Sequence, residues 1–225
     1  MTLVLLTALV SCGDDEPPEA PVPEKADHHD LDIPEDAPKL IVLGDSIAAG
    51  LHLDDPANEA FPAVMQRTLA ERGLPFRLIN AGVSGDTSAG GLRRLPWMLS
   101  QNPDLLVVEL GANDGLRGTS LDAVEESLRG IVVGAREAGV AVLLLGHRLP
   151  PNLGRDYTER FAAVFDRIAK EFDLPYLPFF MQGVAGQPDL NFPDGIHPTA
   201  EGHRRLADRV VAALEPVLRQ VSELR

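Results

Sequence analysis

From Lys39 onward the chain carries short, unbroken apolar runs such as Leu40-Ile41-Val42-Leu43, separated by stretches with helical periodicity. A strand with one wet face alternates apolar and polar residues. A continuous apolar run has to be buried on both faces, which is the situation of a strand inside a parallel sheet. The pattern predicts strands at 39–43, 76–80, 104–110, 140–145 and 174–177, and helices at 58–72, 88–101, 120–138, 157–172 and 199–222. Asn58, Ser120 and Thr199 stand where helix N-caps are favoured, and Gly73 and Gly139 where helix C-terminal glycines are. The expected fold class is α/β, a three-layer α/β/α sandwich around a parallel sheet of about five strands.

Residues 13–38 do not fit that pattern. They are rich in Pro and Ala and carry ten acids against the single Lys25, so most of the formal net charge of −14 is concentrated there. Such composition predicts a disordered tether. The His28-His29-Asp30 cluster inside it is read as solvated chain rather than as a metal site. No basic stripe with interleaved aromatics occurs, which argues against nucleic acid as a partner. Ahead of the tether, residues 1–12 form an apolar stretch too short to span a bilayer but of the length of a secretory signal. Its end, Leu9-Val10-Ser11-Cys12, resembles the bacterial lipoprotein processing box, which implies cleavage before Cys12 and lipidation of it. Cys12 is also the only cysteine, so no disulfide can form within one chain. The expected organisation is a signal segment at 1–12, a tether at 13–38 and one folded domain at 39–225. The expected localisation is export, with lipid anchoring to a bacterial membrane on its periplasmic or exterior side.

Four polar, mostly Gly-rich segments fall at or after the carboxyl ends of predicted strands. They are Gly44-Asp45-Ser46, Asn80 to Gly85, Gly111-Ala112-Asn113-Asp114-Gly115, and Asp194-Gly195-Ile196-His197 before the last helix. Parallel strands share one carboxyl edge, so these segments are expected to converge. Singly, each has an ordinary explanation: Ser46 as a helix cap, Asp194 as a turn former, His197 as a surface histidine. Together they supply what acyl transfer needs: a nucleophile in Ser46, a base in His197, an orienting acid in Asp194, and oxyanion donors in the Gly82 N–H and the Asn113 side chain. Asp45 and Asp114 are read as loop-fixing acceptors. His52 and His203 are expected at the surface and His147 at a pocket rim, none with a paired acid.

These four ordered blocks resemble the GDSL or SGNH hydrolase superfamily. Longer strings, including Gly111 to Gly118, Arg148 to Arg155, Leu177 to Met181 and Asp194 to Pro198, resemble its bacterial thioesterase I/protease I/lysophospholipase L1 (arylesterase) branch over residues 39–220. The resemblance implies a flavodoxin-like sheet, no metal and no cofactor, and an oxyanion hole that adds the Ser46 backbone N–H to Gly82 and Asn113. It also implies a mobile acyl-binding loop at Leu116, Arg117 and Gly118; Leu149, Pro150 and Pro151, after another predicted strand end, are expected to line the same groove. Ile47-Ala48 departs from the Leu and Ser or Thr that relatives commonly carry. The expected substrates are small acyl esters or lysophospholipids. Two alternatives stay open: an acetyl esterase acting on carbohydrate esters, and a non-catalytic lipid-anchored binding protein.

Overall fold

The computed structural model describes residue 31 and residues 33–223; the signal segment, Cys12 and most of the tether lie outside the described residues. Five strands, β1 (Lys39–Gly44), β2 (Arg77–Gly82), β3 (Leu105–Glu109), β4 (Ala141–Leu145) and β5 (Tyr176–Leu177), pair in parallel in the order β2-β1-β3-β4-β5. The chain leaves β1 for β2 on one side and later returns to β3 on the other. The carboxyl ends of β1 and β3 therefore flank the point where the strand order reverses, the crevice at which open α/β sheets bind ligands.

Successive side chains of a strand point to opposite faces, which divides each apolar run between two cores. Leu40 and Val42 pack with Phe61, Met65 and Leu69 of α3 (Phe61–Glu71) and with Leu206, Val210 and Leu214 of α8 (Ala200–Glu223). Ile41 and Leu43 face the other layer. There they join α4 (Ser88–Ser100), α6 (Leu121–Glu137) and α7 (Arg155–Glu171) through Met98, Leu128, Ile131, Phe161 and Phe165. Three short helices, α1 (Ser46–Ala49), α2 (Pro56–Glu59) and α5 (Ala112–Leu116), follow strand ends or precede α3.

The Thr199 cap is present, its Oγ1 accepting the Gly202 N–H at 3.3 Å. Gly73 and Gly139 have φ of 73° and 75°, as expected at helix ends. Ser120 stands at the N-cap of α6 but its hydroxyl makes no capping bond. Asn58 caps nothing. It lies inside α2, with its amide on Asp55 Oδ2, and α3 begins only at Phe61. The N-terminus of α3 is instead satisfied from across the fold, where His203 Nδ1 accepts the Phe61 N–H at 3.1 Å. His203 is thus fully buried in α8, not at the surface, and desolvation lowers its pKa to about 4.

Candidate active site

β1 ends at Gly44 and the backbone enters α1 almost at once, so Ser46 opens that helix at the sheet edge. Asp45 is the helix cap. Its Oδ1 accepts the Ile47 N–H at 3.0 Å and its Oδ2 accepts the Asn113 amide at 3.0 Å. Because the aspartate caps the helix, the serine hydroxyl is not taken up as the cap. Ser46 Oγ lies 2.9 Å from His197 Nε2.

His197 and its acid share one turn after β5. Asp194 Oδ1 accepts the backbone N–H groups of Ile196 at 2.8 Å and His197 at 3.0 Å, while Oδ2 stands 2.7 Å from His197 Nδ1. Partial desolvation opposes ionisation of Asp194, but the backbone and ring of His197 and the Ile196 N–H outweigh it and hold the carboxyl well below its usual range. Hydroxyl, imidazole and carboxylate therefore form one line across segments 151 residues apart.

The floor of the site is a residue the sequence reading passed over. Glu109, at the end of β3, is completely buried, and its Oε2 accepts the Asp45 N–H at 3.1 Å. Burial and the nearby charge of Asp45 raise its pKa well above the ordinary value. Burial likewise pushes Asp45 up to about 6, against its hydrogen bonds from Ile47 and Asn113 and the neighbouring His197. An acid closing an otherwise apolar run was the available signal for Glu109. His147 is not at a pocket rim: it is buried, its Nε2 faces Glu109 Oε1 at 3.6 Å, and desolvation lowers its pKa to about 4.

The donors around Ser46 differ from expectation at one position. Gly82 is the end of β2, and its N–H already donates to Asn80 Oδ1 at 3.1 Å, while Asn80 Nδ2 donates to the Ala48 carbonyl at 2.7 Å. A Cβ on Gly82 would come within 2.3 Å of the Ala49 nitrogen, so this glycine permits β2 to pack against α1. It is not placed as a free donor. Three residues on, Gly85 has φ 80°, and among the described residues its N–H has no acceptor. The Ser46 N–H likewise has none. Asn113 sits in α5 beside Asp45, and Asp114 holds the neighbouring turn by accepting the Ser88 N–H and hydroxyl at 2.8 and 2.9 Å.

Of the expected substrate loop, Leu116 is 40% exposed, Arg117 donates to the Gly85 carbonyl at 3.0 Å, and Gly118 has φ 69°. Pro150 is exposed. Leu149 is buried in the core with Phe161, against Gly115, and so does not line an open groove. His52 has an acid after all, its Nε2 lying 3.4 Å from Asp194 Oδ2. Its ring also meets the ring of His197 edge-on at 5.2 Å. Among the described residues, His52, Asp194 and His197 form the one group whose ligand atoms, all within 4.8 Å of one another, could hold a metal ion.

The chain matches the GDSL-like Lipase/Acylhydrolase family over residues 42–205, a span that includes Ser46, Asn113, Asp194 and His197. It is 44% identical over 183 residues to Esterase TesA of Pseudomonas aeruginosa, covering 81% of this chain and 90% of that protein. Against Thioesterase 1/protease 1/lysophospholipase L1 of Escherichia coli the identity is 42% over 183 residues, 81% of this chain and 86% of that one. The fold overlays a crystal structure of TesA with a TM-score of 0.77 and 43% identity, over 80% of this chain and 99% of the other.

Proposed function

The chain belongs to the GDSL-like lipase/acylhydrolase family, and from its place among those ester hydrolases we propose that it cleaves acyl esters and thioesters through an acyl-enzyme on Ser46. The observation that carries this reading is the line from Ser46 Oγ to His197 Nε2, 2.9 Å, and from His197 Nδ1 to Asp194 Oδ2, 2.7 Å. Ser46 Oγ attacks the acyl carbon while Nε2 takes the hydroxyl proton, and Asp194 keeps the other ring proton on Nδ1. Negative charge moves to the acyl oxygen, where the Ser46 N–H, the Gly85 N–H and the Asn113 amide are the donors on hand. Collapse expels the alcohol or thiol, which receives the proton from Nε2. Water activated by the same nitrogen then releases the acid and restores Ser46.

Acyl chains longer than acetate fit the apolar side chains around the site. Val83, Leu116 and Ile196, exposed by 39, 40 and 44%, stand on the segments that carry Gly85, Asn113 and His197. Small acyl esters and lysophospholipids are the substrate classes this favours over carbohydrate acetates. Among the described residues no helix is long and apolar enough to cross a membrane. Membrane attachment in this reading comes from lipid on Cys12, with the tether placing the domain on the periplasmic or exterior side.

The test is a fluorophosphonate probe with peptide mapping, alongside p-nitrophenyl esters of graded acyl length. Adduct on Ser46, none in folded Ser46→Ala, and turnover rising beyond acetate are expected. Folded wild-type protein that takes no label overturns the mechanism, and a strict limit to acetate overturns the substrate class. Mass spectrometry of the membrane fraction checks the anchor: a mature chain starting at acylated Cys12 is expected, and an unmodified full-length chain in the cytoplasm overturns it.

A further inference from the structure

The acid of the catalytic line is shared. Asp194 Oδ2 stands 2.7 Å from His197 Nδ1 and also 3.4 Å from His52 Nε2. The three ligand atoms lie within 4.8 Å of one another, with His52 and Asp194 exposed and His197 half-buried. His52 is aimed there by its backbone. Its φ of 75° is one of three positive values among described non-glycine residues, a conformation that most side chains adopt at a cost in energy. Phe192 then meets its ring edge-on, centroids 5.6 Å apart. A histidine held in a disfavoured conformation against an already partnered carboxylate is unexplained by ester hydrolysis.

We propose that His52 Nε2, Asp194 Oδ2 and His197 Nδ1 form an inhibitory site for a borderline divalent cation of the zinc type, which switches the hydrolase off by capturing its catalytic imidazole. Two imidazoles and one carboxylate are the donors such ions prefer, and three protein ligands leave a fourth position for water. Bonds of about 2.0–2.2 Å in tetrahedral array put neighbouring ligand atoms roughly 3.3–3.5 Å apart. The His52–Asp194 separation of 3.4 Å already matches, and the pair at 2.7 Å has to open slightly. The side chain of His52 is 50% exposed and has room to close on the ion.

Inhibition follows from tautomer chemistry. A cation on Nδ1 takes the lone pair of that nitrogen, so its proton passes to Nε2. An Nε2 that carries the proton donates to Ser46 Oγ and can no longer accept from it, so the serine loses its base. The inhibition arm of this proposal rests on the hydrolytic reading above; the binding arm does not.

The experiment uses the full chain with His28→Ala and His29→Ala, which removes the other histidine pair, titrated with zinc chloride in a non-coordinating buffer. One ion per chain by calorimetry and inhibition reversed by EDTA are expected. Each rate is normalised to the same protein's metal-free rate. On that scale His52→Ala raises the half-inhibitory zinc concentration and the dissociation constant together, by about tenfold or more. Zinc binding or inhibition that is the same in His52→Ala overturns the site, as does a wild-type chain that zinc neither binds nor inhibits. If the metal-free chain hydrolyses no ester, the hydrolytic reading fails while calorimetry still decides the metal site.

Discussion

Glu109 Oε2 accepts the Asp45 backbone N–H at 3.1 Å, so the residue before Ser46 rests on a carboxyl with no exposure to solvent. Burial keeps that carboxyl protonated at pH values where an ordinary glutamate is ionised. Glu109→Gln preserves both shape and neutrality and is expected to keep kcat within a few-fold. Glu109→Ala orphans the Asp45 N–H and exposes His147 to a cavity, with an expected loss of about 1–3 kcal/mol in stability and a lower kcat. Steady-state kinetics and denaturant unfolding of the two variants separate these outcomes; equal damage from both contradicts the neutral-acid role.

Asn113 donates to Asp45 and so is held before any substrate arrives. If its second amide hydrogen meets the oxyanion, Asn113→Ala lowers kcat by about 10²–10³-fold with KM little changed. A change confined to KM would assign Asn113 to ground-state binding instead.

Gly82 and Gly85 are expected to fail differently. A methyl on Gly82 runs into the Ala48–Ala49 backbone at 2.3–2.9 Å, so Gly82→Ala is expected to cost about 1–3 kcal/mol of stability. At Gly85 the nearest atom to an added Cβ is the Arg117 guanidinium at 3.3 Å, leaving mainly the strain of φ 80°. Gly85→Ala keeps the backbone N–H but strains it, so it is expected to cost about 1–2 kcal/mol of stability and to lower turnover as far as the strain moves that N–H away from the oxyanion. Thermal melts paired with kcat values read both effects.

His203 makes a pH-dependent contribution of known sign. Its pKa is about 4 in the folded protein and about 6.5 in the unfolded chain, so the unfolded state binds more protons between those values. Stability from this residue is present above pH 6.5 and is lost as pH falls toward 4, by at most about 1.4 kcal/mol per pH unit. Asp45, raised to about 6, acts in the opposite sense, its contribution disappearing as pH rises through 6. His203→Gln can still accept the Phe61 N–H, so the difference between wild type and this variant isolates the histidine. Urea midpoints from pH 4 to 7 are expected to fall less steeply toward acid in the variant.

The apolar runs of β1, β3 and β4 and the Gly-rich segments after them were legible in the sequence, because burial on both faces leaves a local pattern and parallel strands share one carboxyl edge. That edge brings Ser46, Asn113 and the Asp194–His197 turn together, and no long-range geometry was needed to expect it. What the sequence could not show is where each polar atom finds its partner. His203 meets Phe61 142 residues away, His52 reaches an acid on a different segment, and Asn80 takes the N–H that Gly82 was expected to offer. Periodicity reports which face a residue occupies, whereas a hydrogen bond depends on positions resolved to tenths of an ångström, and only the packed tertiary structure sets those.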